Sequence, residues 1–144
     1  MLRNLSVAAF AAMVAGIAII FYSHALIARR WPLVAVQVGG VLLMIAARIT
    51  FGRRSFHAAA NPTAGGIVTT GPYAYIRHPI YAAAIYFVWA GTLDNFSWAA
   101  CAGAALLTAG AFIRMFSEER LLTGRYPEYA GYMARVRRIV PFLI

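Results

Sequence analysis

Apolar and polar positions in this chain fall into blocks too long for a half-buried soluble helix. Leu5 to Ala28 is 24 residues without a formal charge, enough to cross about 30 Å of hydrocarbon as a helix. Trp31 to Ala47 adds a run of 17, which Arg48 can extend by snorkelling. Gly39-Gly40 lies in the middle of that run, where small residues let another helix approach. Arg53 to Pro79 is the only long polar connection, and Asn61-Pro62 and Gly65-Gly66 break it. Ile80 to Leu93 is an apolar run of 14, short for a span, and Asp94-Asn95 then marks a turn before Phe96 to Ile113. These last two runs predict a tight helical hairpin over 80–113, either crossing the bilayer or re-entering it. From Arg114 the chain is polar and amphipathic until the apolar end, Ile139 to Ile144.

The pattern predicts an all-α membrane protein of about four transmembrane helices with an amphipathic C-terminal helix. Residues 1–144 form one membrane domain, with two N-terminal spans over 5–52. Composition agrees. Hydrophobic residues make up 62% of the chain, charged residues only 12%, and the mean hydropathy is +0.72. A soluble domain carries about 25% charged residues. The first run has Arg3 before it, as a signal peptide would. It is too long for a signal h-region and ends in Arg29-Arg30 rather than at a small-residue cleavage site, so it is expected to stay as a helix.

Charge adds an orientation. The net charge is +9, and all thirteen basic residues are arginine. They flank the apolar blocks, which points to anionic lipid headgroups rather than nucleic acid. With four spans, eleven arginines fall on the side of the N-terminus, the central connection and the C-terminal tail, and only Arg29 and Arg30 fall on the other. Both termini and the central connection are therefore expected at the cytoplasmic face, in a bacterial inner membrane. Cys101 is the only cysteine and lies in an apolar run, where it packs as a buried thiol. No Cys/His set has zinc-ligand spacing, so no metal is expected.

The chemistry concentrates in Gly71-Pro72-Tyr73-Ala74-Tyr75-Ile76-Arg77-His78-Pro79-Ile80-Tyr81. Pro72 and Pro79 fix their own φ and turn the preceding residues away from the α region. Pro79 suits the first position of a helix, which puts His78 at the N-cap and Tyr81 inside the first turn. An imidazole, a guanidinium and several phenols then gather at a helix start, where the macrodipole favours anions. A well-shaped interfacial turn with a Tyr/Arg belt is an equally ready account. The second group is Arg114-Met115-Phe116-Ser117-Glu118-Glu119-Arg120. Arg114 and Glu118 share a helical face, and a charge at the membrane boundary is costly unless paired or used. A snorkelling arginine and a solvated glutamate would explain them without function. Tyr126, Tyr129 and Tyr132 form a phenolic stripe, expected on an interfacial surface helix or as a lid over a site at that face.

In series these pieces resemble the integral-membrane methyltransferases of the isoprenylcysteine carboxyl methyltransferase and phospholipid methyltransferase superfamily. The resemblance rests on Val68-Thr69-Thr70-Gly71-Pro72-Tyr73 and Arg77-His78-Pro79-Ile80-Tyr81. After a hairpin come Glu118-Glu119-Arg120, Tyr126-Pro127-Glu128-Tyr129 and Arg135-Val136, all within 65–142, which would be the methyltransferase core. It implies S-adenosylmethionine as the methyl donor, without a dinucleotide-type glycine fingerprint. It also implies cofactor contacts at Gly65, Gly66, Ile67, Val68, Tyr73, His78, Pro79, Ile80, Tyr81 and Glu118, and a catalytic pair in which Arg114 faces the acceptor while Glu118 lines the site, neutralises Arg114 and fixes its geometry. Arg77 and Arg135 match further basic positions of unassigned role. Arg137 stands where the family often has proline, and Gly65-Gly66 replaces bulkier polar residues of the prenyl-protein relatives, so the acceptor stays open: a carboxylate, an amine or a thiol on a lipophilic or lipid-modified molecule. The alternative is a non-catalytic membrane scaffold or lipid-binding protein of the same fold. A small transporter fits less well, because no charge lies near a span centre.

Overall fold

In the computed structural model residues 2–52 and 66–141 are described, and the side chains of 2 and 3 are left aside. Arg53, Arg54, the Asn61-Pro62 breaker and Gly65 lie outside the described residues. Five α-helices and no β-strand occur among them: α1 (Leu2–Tyr22), α2 (Trp31–Phe51), α3 (Pro79–Asp94), α4 (Trp98–Arg125) and α5 (Tyr129–Arg135), with a 3-10 turn over Gly71–Ala74 before α3. Three helices are long and apolar enough to cross a membrane: α1, α2 and α4. The short third run yields α3, 16 residues and about 24 Å at 1.5 Å per residue, less than a full span. At 28 residues α4 is about 42 Å long, so the turns after Ile113 stand beyond the apolar stretch.

Large apolar side chains face outward along α1 and α2, among them Leu5, Phe10, Val14, Ile17, Val38, Leu42 and Ile49. Water would penalise that surface, whereas lipid accepts it. The interior is built from small residues. Ala82, Ala83, Ala100, Ala104 and Ala111 are buried around Ile20, Leu107 and Met115.

The four long helices alternate in direction. The 80–113 hairpin forms, with α3 and α4 joined through Asn95, Phe96 and Ser97, yet its two arms pack mainly on the N-terminal pair, α4 along α1 and α3 along α2. Glycines decide this pairing. A Cβ on Gly16 would lie 2.6 Å from the Gly103 carbonyl oxygen, and one on Gly103 would lie 2.8 Å from that of Gly16. The two backbones therefore touch at a point where no side chain fits. Gly40 makes a looser close approach in α2, where a Cβ would lie 3.2 Å from the Ala83 carbonyl oxygen of α3.

Each end of the bundle has its own polar tie. At the far end Asp94 accepts from the amides of Arg29 and Arg30 and from Arg30 Nε. Asn95 Nδ2 donates to the Ile27 carbonyl at 2.9 Å. Gln37, buried, donates to the carbonyls of Leu26 and Phe87 and accepts from the Ala28 amide. Ser97 caps α4 by accepting from the Ala100 amide at 3.1 Å. Among the described residues, the other charged side chains lie toward the near end.

Candidate active site

The near-end site starts with the turn chemistry. Gly71 adopts φ +55°, and a Cβ there would meet Thr50 Oγ1 at 2.7 Å, so the chain bends against the end of α2 only because this residue is glycine. The 3-10 turn follows, and Pro79 opens α3 with His78 as its N-cap, as the spacing predicts. His78 makes no side-chain cap. Its ring turns instead toward α4, 6% exposed, with Nε2 3.1 Å from Glu119 Oε1 and Nδ1 3.9 Å from Glu118 Oε2. A carboxylate only accepts, so Nε2 carries the proton toward Glu119.

Beside it Tyr81, in the first turn of α3, donates its hydroxyl to Glu118 Oε1 and accepts from Arg114 Nε at 2.7 Å. Arg114 also donates to the Ser6 carbonyl of α1 at 3.3 Å and lies 3.4 Å from Glu118. Its guanidinium stands over the rings of Phe10 and Tyr81, an arrangement that attracts a cation to a π face. The Arg114 side chain is 5% exposed, while that of Glu118 is 25% exposed. Of this cluster Glu118 is the carboxylate that reaches solvent.

The structure thus brings His78, Tyr81, Arg114 and Glu118 together. Pro79 is buried and Ile80 half-buried in the same turn of α3. Tyr73 is buried on another flank, its ring 5.5 Å from Phe51 and its carbonyl accepting from Tyr132 Oη at 2.5 Å. Ile67 and Val68 are half-buried in the segment leading into the turn. Gly66 has φ +79° with open space where a side chain would stand.

The phenolic stripe is corrected. Tyr126 lies at the end of α4, outside α5, and Tyr129 and Tyr132 are buried rather than at a surface, packed on each other at 5.7 Å. Burial pushes the Tyr132 phenol up to about 12 and raises Tyr73 and Tyr129 as well. All three therefore remain neutral hydroxyls at physiological pH.

Pattern reasoning missed Glu119 and Arg138. Glu119 accepts from Arg77 Nη2 at 2.9 Å and Nε at 3.1 Å, from His78, and from Arg138 Nη2 at 2.9 Å. Burial alone would raise this carboxyl, but the hydrogen bonds from His78 and Arg138 and the charges of His78 and Arg77 hold it well below the usual carboxylate range. A signal existed: four acids stand against thirteen arginines, so an acid inside the basic region needs partners. Arg135 Nε returns to its own helix at the Gly131 carbonyl and does not reach this cluster.

Bilayer-facing helices with a charged, hydrogen-bonded cluster at one mouth define an integral-membrane protein. A family model for phospholipid methyltransferases matches residues 49–129, more than half of the chain, and the chain belongs to that family. No curated protein and no solved structure matches it. Membership gives membrane methyl transfer as the general class of activity.

Proposed function

We propose that the protein transfers a methyl group from S-adenosylmethionine to a lipophilic acceptor held in the membrane, at the mouth formed by His78, Tyr81, Arg114 and Glu118. The observation that supports this best is the carboxylate of Glu118, a quarter exposed, bonded to a phenol and facing an imidazole, in a chain of this family. The residues suit the donor, which offers a cationic sulfur, an ammonium and a carboxylate. Glu118 and the π face of Tyr81 match the cations, and the open side of Gly66 leaves backbone accessible. When bound, the cofactor supplies an electrophilic methyl group.

The chain's own work is alignment and charge placement. Arg114 fixes the Tyr81 hydroxyl, and that hydroxyl fixes Glu118. Buried as it is, Arg114 acts on an acceptor through Tyr81 and Glu118 and through its positive charge. Among carboxylate, amine and thiol acceptors, we take the amine of a lipid headgroup, in keeping with a family of phospholipid methyltransferases. Glu118 then holds the ammonium form close and takes its proton at a carboxylate oxygen. The site faces the cytoplasm on the arginine bias, and one membrane domain carries it.

Calorimetric titration of S-adenosylmethionine into detergent-purified protein, beside the His78→Ala variant, tests the proposal. Saturable binding that the variant loses is expected. No binding to the folded wild-type protein would overturn it and favour a non-catalytic lipid-binding scaffold.

A further inference from the structure

The C-terminal segment does not simply trail from α5. The Arg77 amide donates to the Arg137 carbonyl at 2.7 Å and the His78 amide to the Arg138 carbonyl at 2.9 Å, with a parallel bridge between Ile76 and Arg137. Two residues of the candidate cofactor segment are thus paired, strand-like, with the tail. Tyr86 of α3 donates to the Ile139 carbonyl at 2.5 Å, and Arg77 Nη1 donates to the Met133 carbonyl at 2.7 Å. The tail lies as a strap over the start of α3.

One carboxylate fastens the side chains of this strap. Glu119, 6% exposed, sits between Arg77 from the turn and Arg138 from the tail, and it also takes the His78 ring. Arg138 further stacks its guanidinium 4.6 Å above the Phe116 ring. Without the carboxylate, two guanidinium groups would face each other across a buried site, and a lone buried charge is far more costly than a paired one.

We infer that Glu119 is a positioning residue: it buckles the C-terminal strap to Arg77-His78 and thereby sets the geometry of the cofactor segment. This rests on the methyltransferase reading of the site. Glu119 need not touch the cofactor or the acceptor. It holds His78 from one side so that Nδ1 faces Glu118.

The test pairs amide hydrogen exchange at Arg77 and His78 with the affinity for S-adenosylmethionine, in wild type, Glu119→Gln and Arg138→Ala. Both variants are expected to exchange these two amides faster and to weaken cofactor affinity about ten-fold or more, the scale of losing a charged hydrogen bond. Turnover at saturating cofactor is expected to fall much less. Arg138 is half-buried, so its variant carries the test should Glu119→Gln fail to fold. Unchanged exchange and unchanged affinity would overturn the inference. So would weakened affinity with unchanged exchange, which would make Glu119 a direct contact, or faster exchange with unchanged affinity, which would uncouple strap from site. A wild-type protein that binds no cofactor refutes the methyltransferase reading, and the exchange comparison then still decides whether Glu119 is the buckle.

Discussion

Tyr81→Phe isolates the link on which the candidate site depends. The substitution keeps the ring, which lies 5.9 Å from the Arg114 guanidinium and 5.8 Å from the His78 ring, and deletes only the hydroxyl. That hydroxyl accepts from Arg114 Nε and donates to Glu118. Hydrogen bonds to charged groups contribute about 1.5–3 kcal/mol each. Glu118 is a quarter exposed, so water and ions recover part of its loss. Arg114 keeps the Ser6 carbonyl and Glu118. The net cost is then about 2 kcal/mol, which corresponds to about thirty-fold in an equilibrium constant. It is divided between stability and cofactor affinity. In detergent S-adenosylmethionine is expected to bind about ten-fold more weakly, which takes about 1.4 kcal/mol, and the remainder lowers the midpoint of thermal unfolding by about 2 °C. Tyr75→Phe is the control, because Tyr75 is exposed and should change neither. A Tyr81→Phe protein with wild-type midpoint and wild-type affinity would refute the reasoning, since the hydroxyl would then join nothing that matters.

Other consequences follow from single contacts. Gly103→Val places a side chain where the Gly16 carbonyl and Ile20 already stand; it should part α1 from α4, seen as loss of a monodisperse peak in size exclusion. Asp94→Ala removes the acceptor for the Arg29 and Arg30 amides at the far end; the unfolding midpoint should drop while cofactor affinity stays, because the site lies at the other end. Glu119 titrates below its ordinary value of 4.5 in the folded protein, so its contribution to stability is complete above that value and is lost as pH falls below it. Unfolding midpoints should therefore decline from pH 5 toward pH 3, and less steeply in Glu119→Gln. Reporter fusions at the C-terminus should report a cytoplasmic tail, and an external tail would reverse the proposed orientation.

Local rules made much of this fold legible. Proline geometry placed the start of α3 and its N-cap, Asp94-Asn95 placed the turn, and i,i+4 spacing placed Arg114 beside Glu118. What stayed hidden depends on residues distant in the chain. Pairing of Ile76–His78 with Arg137–Arg138 spans about sixty positions and has no period to reveal it. Tyr132 looks like a surface anchor because its partner is a backbone carbonyl, that of Tyr73, which carries no side-chain signal, and Tyr129 is buried beside it by ring packing. The preference of the hairpin arms for α1 and α2 was readable only in part. Gly39-Gly40 marked a close approach, but which helix fills it is decided by Ala83 and Phe87 across the gap.

Glu118 and Glu119 show why adjacency in sequence misled. Neighbours on an α-helix point about 100° apart, so an acidic pair is divided between two environments. One member turns to Tyr81 and Arg114 and keeps a quarter of its side chain in solvent; the other turns to Arg77, His78 and Arg138 and is sealed. His78 lies between them and reaches both. The sealed carboxylate, outnumbered by cations, is pinned in its charged form and suits a fixed support. The open one meets the Arg114 guanidinium, the neutral Tyr81 phenol and, at 3.9 Å, the His78 ring, and on the proposed function it is the carboxylate left to meet a cation. On the proposed function a single glutamate could not serve both ends, because the partners that lock it in place would also use up the oxygens that an acceptor needs.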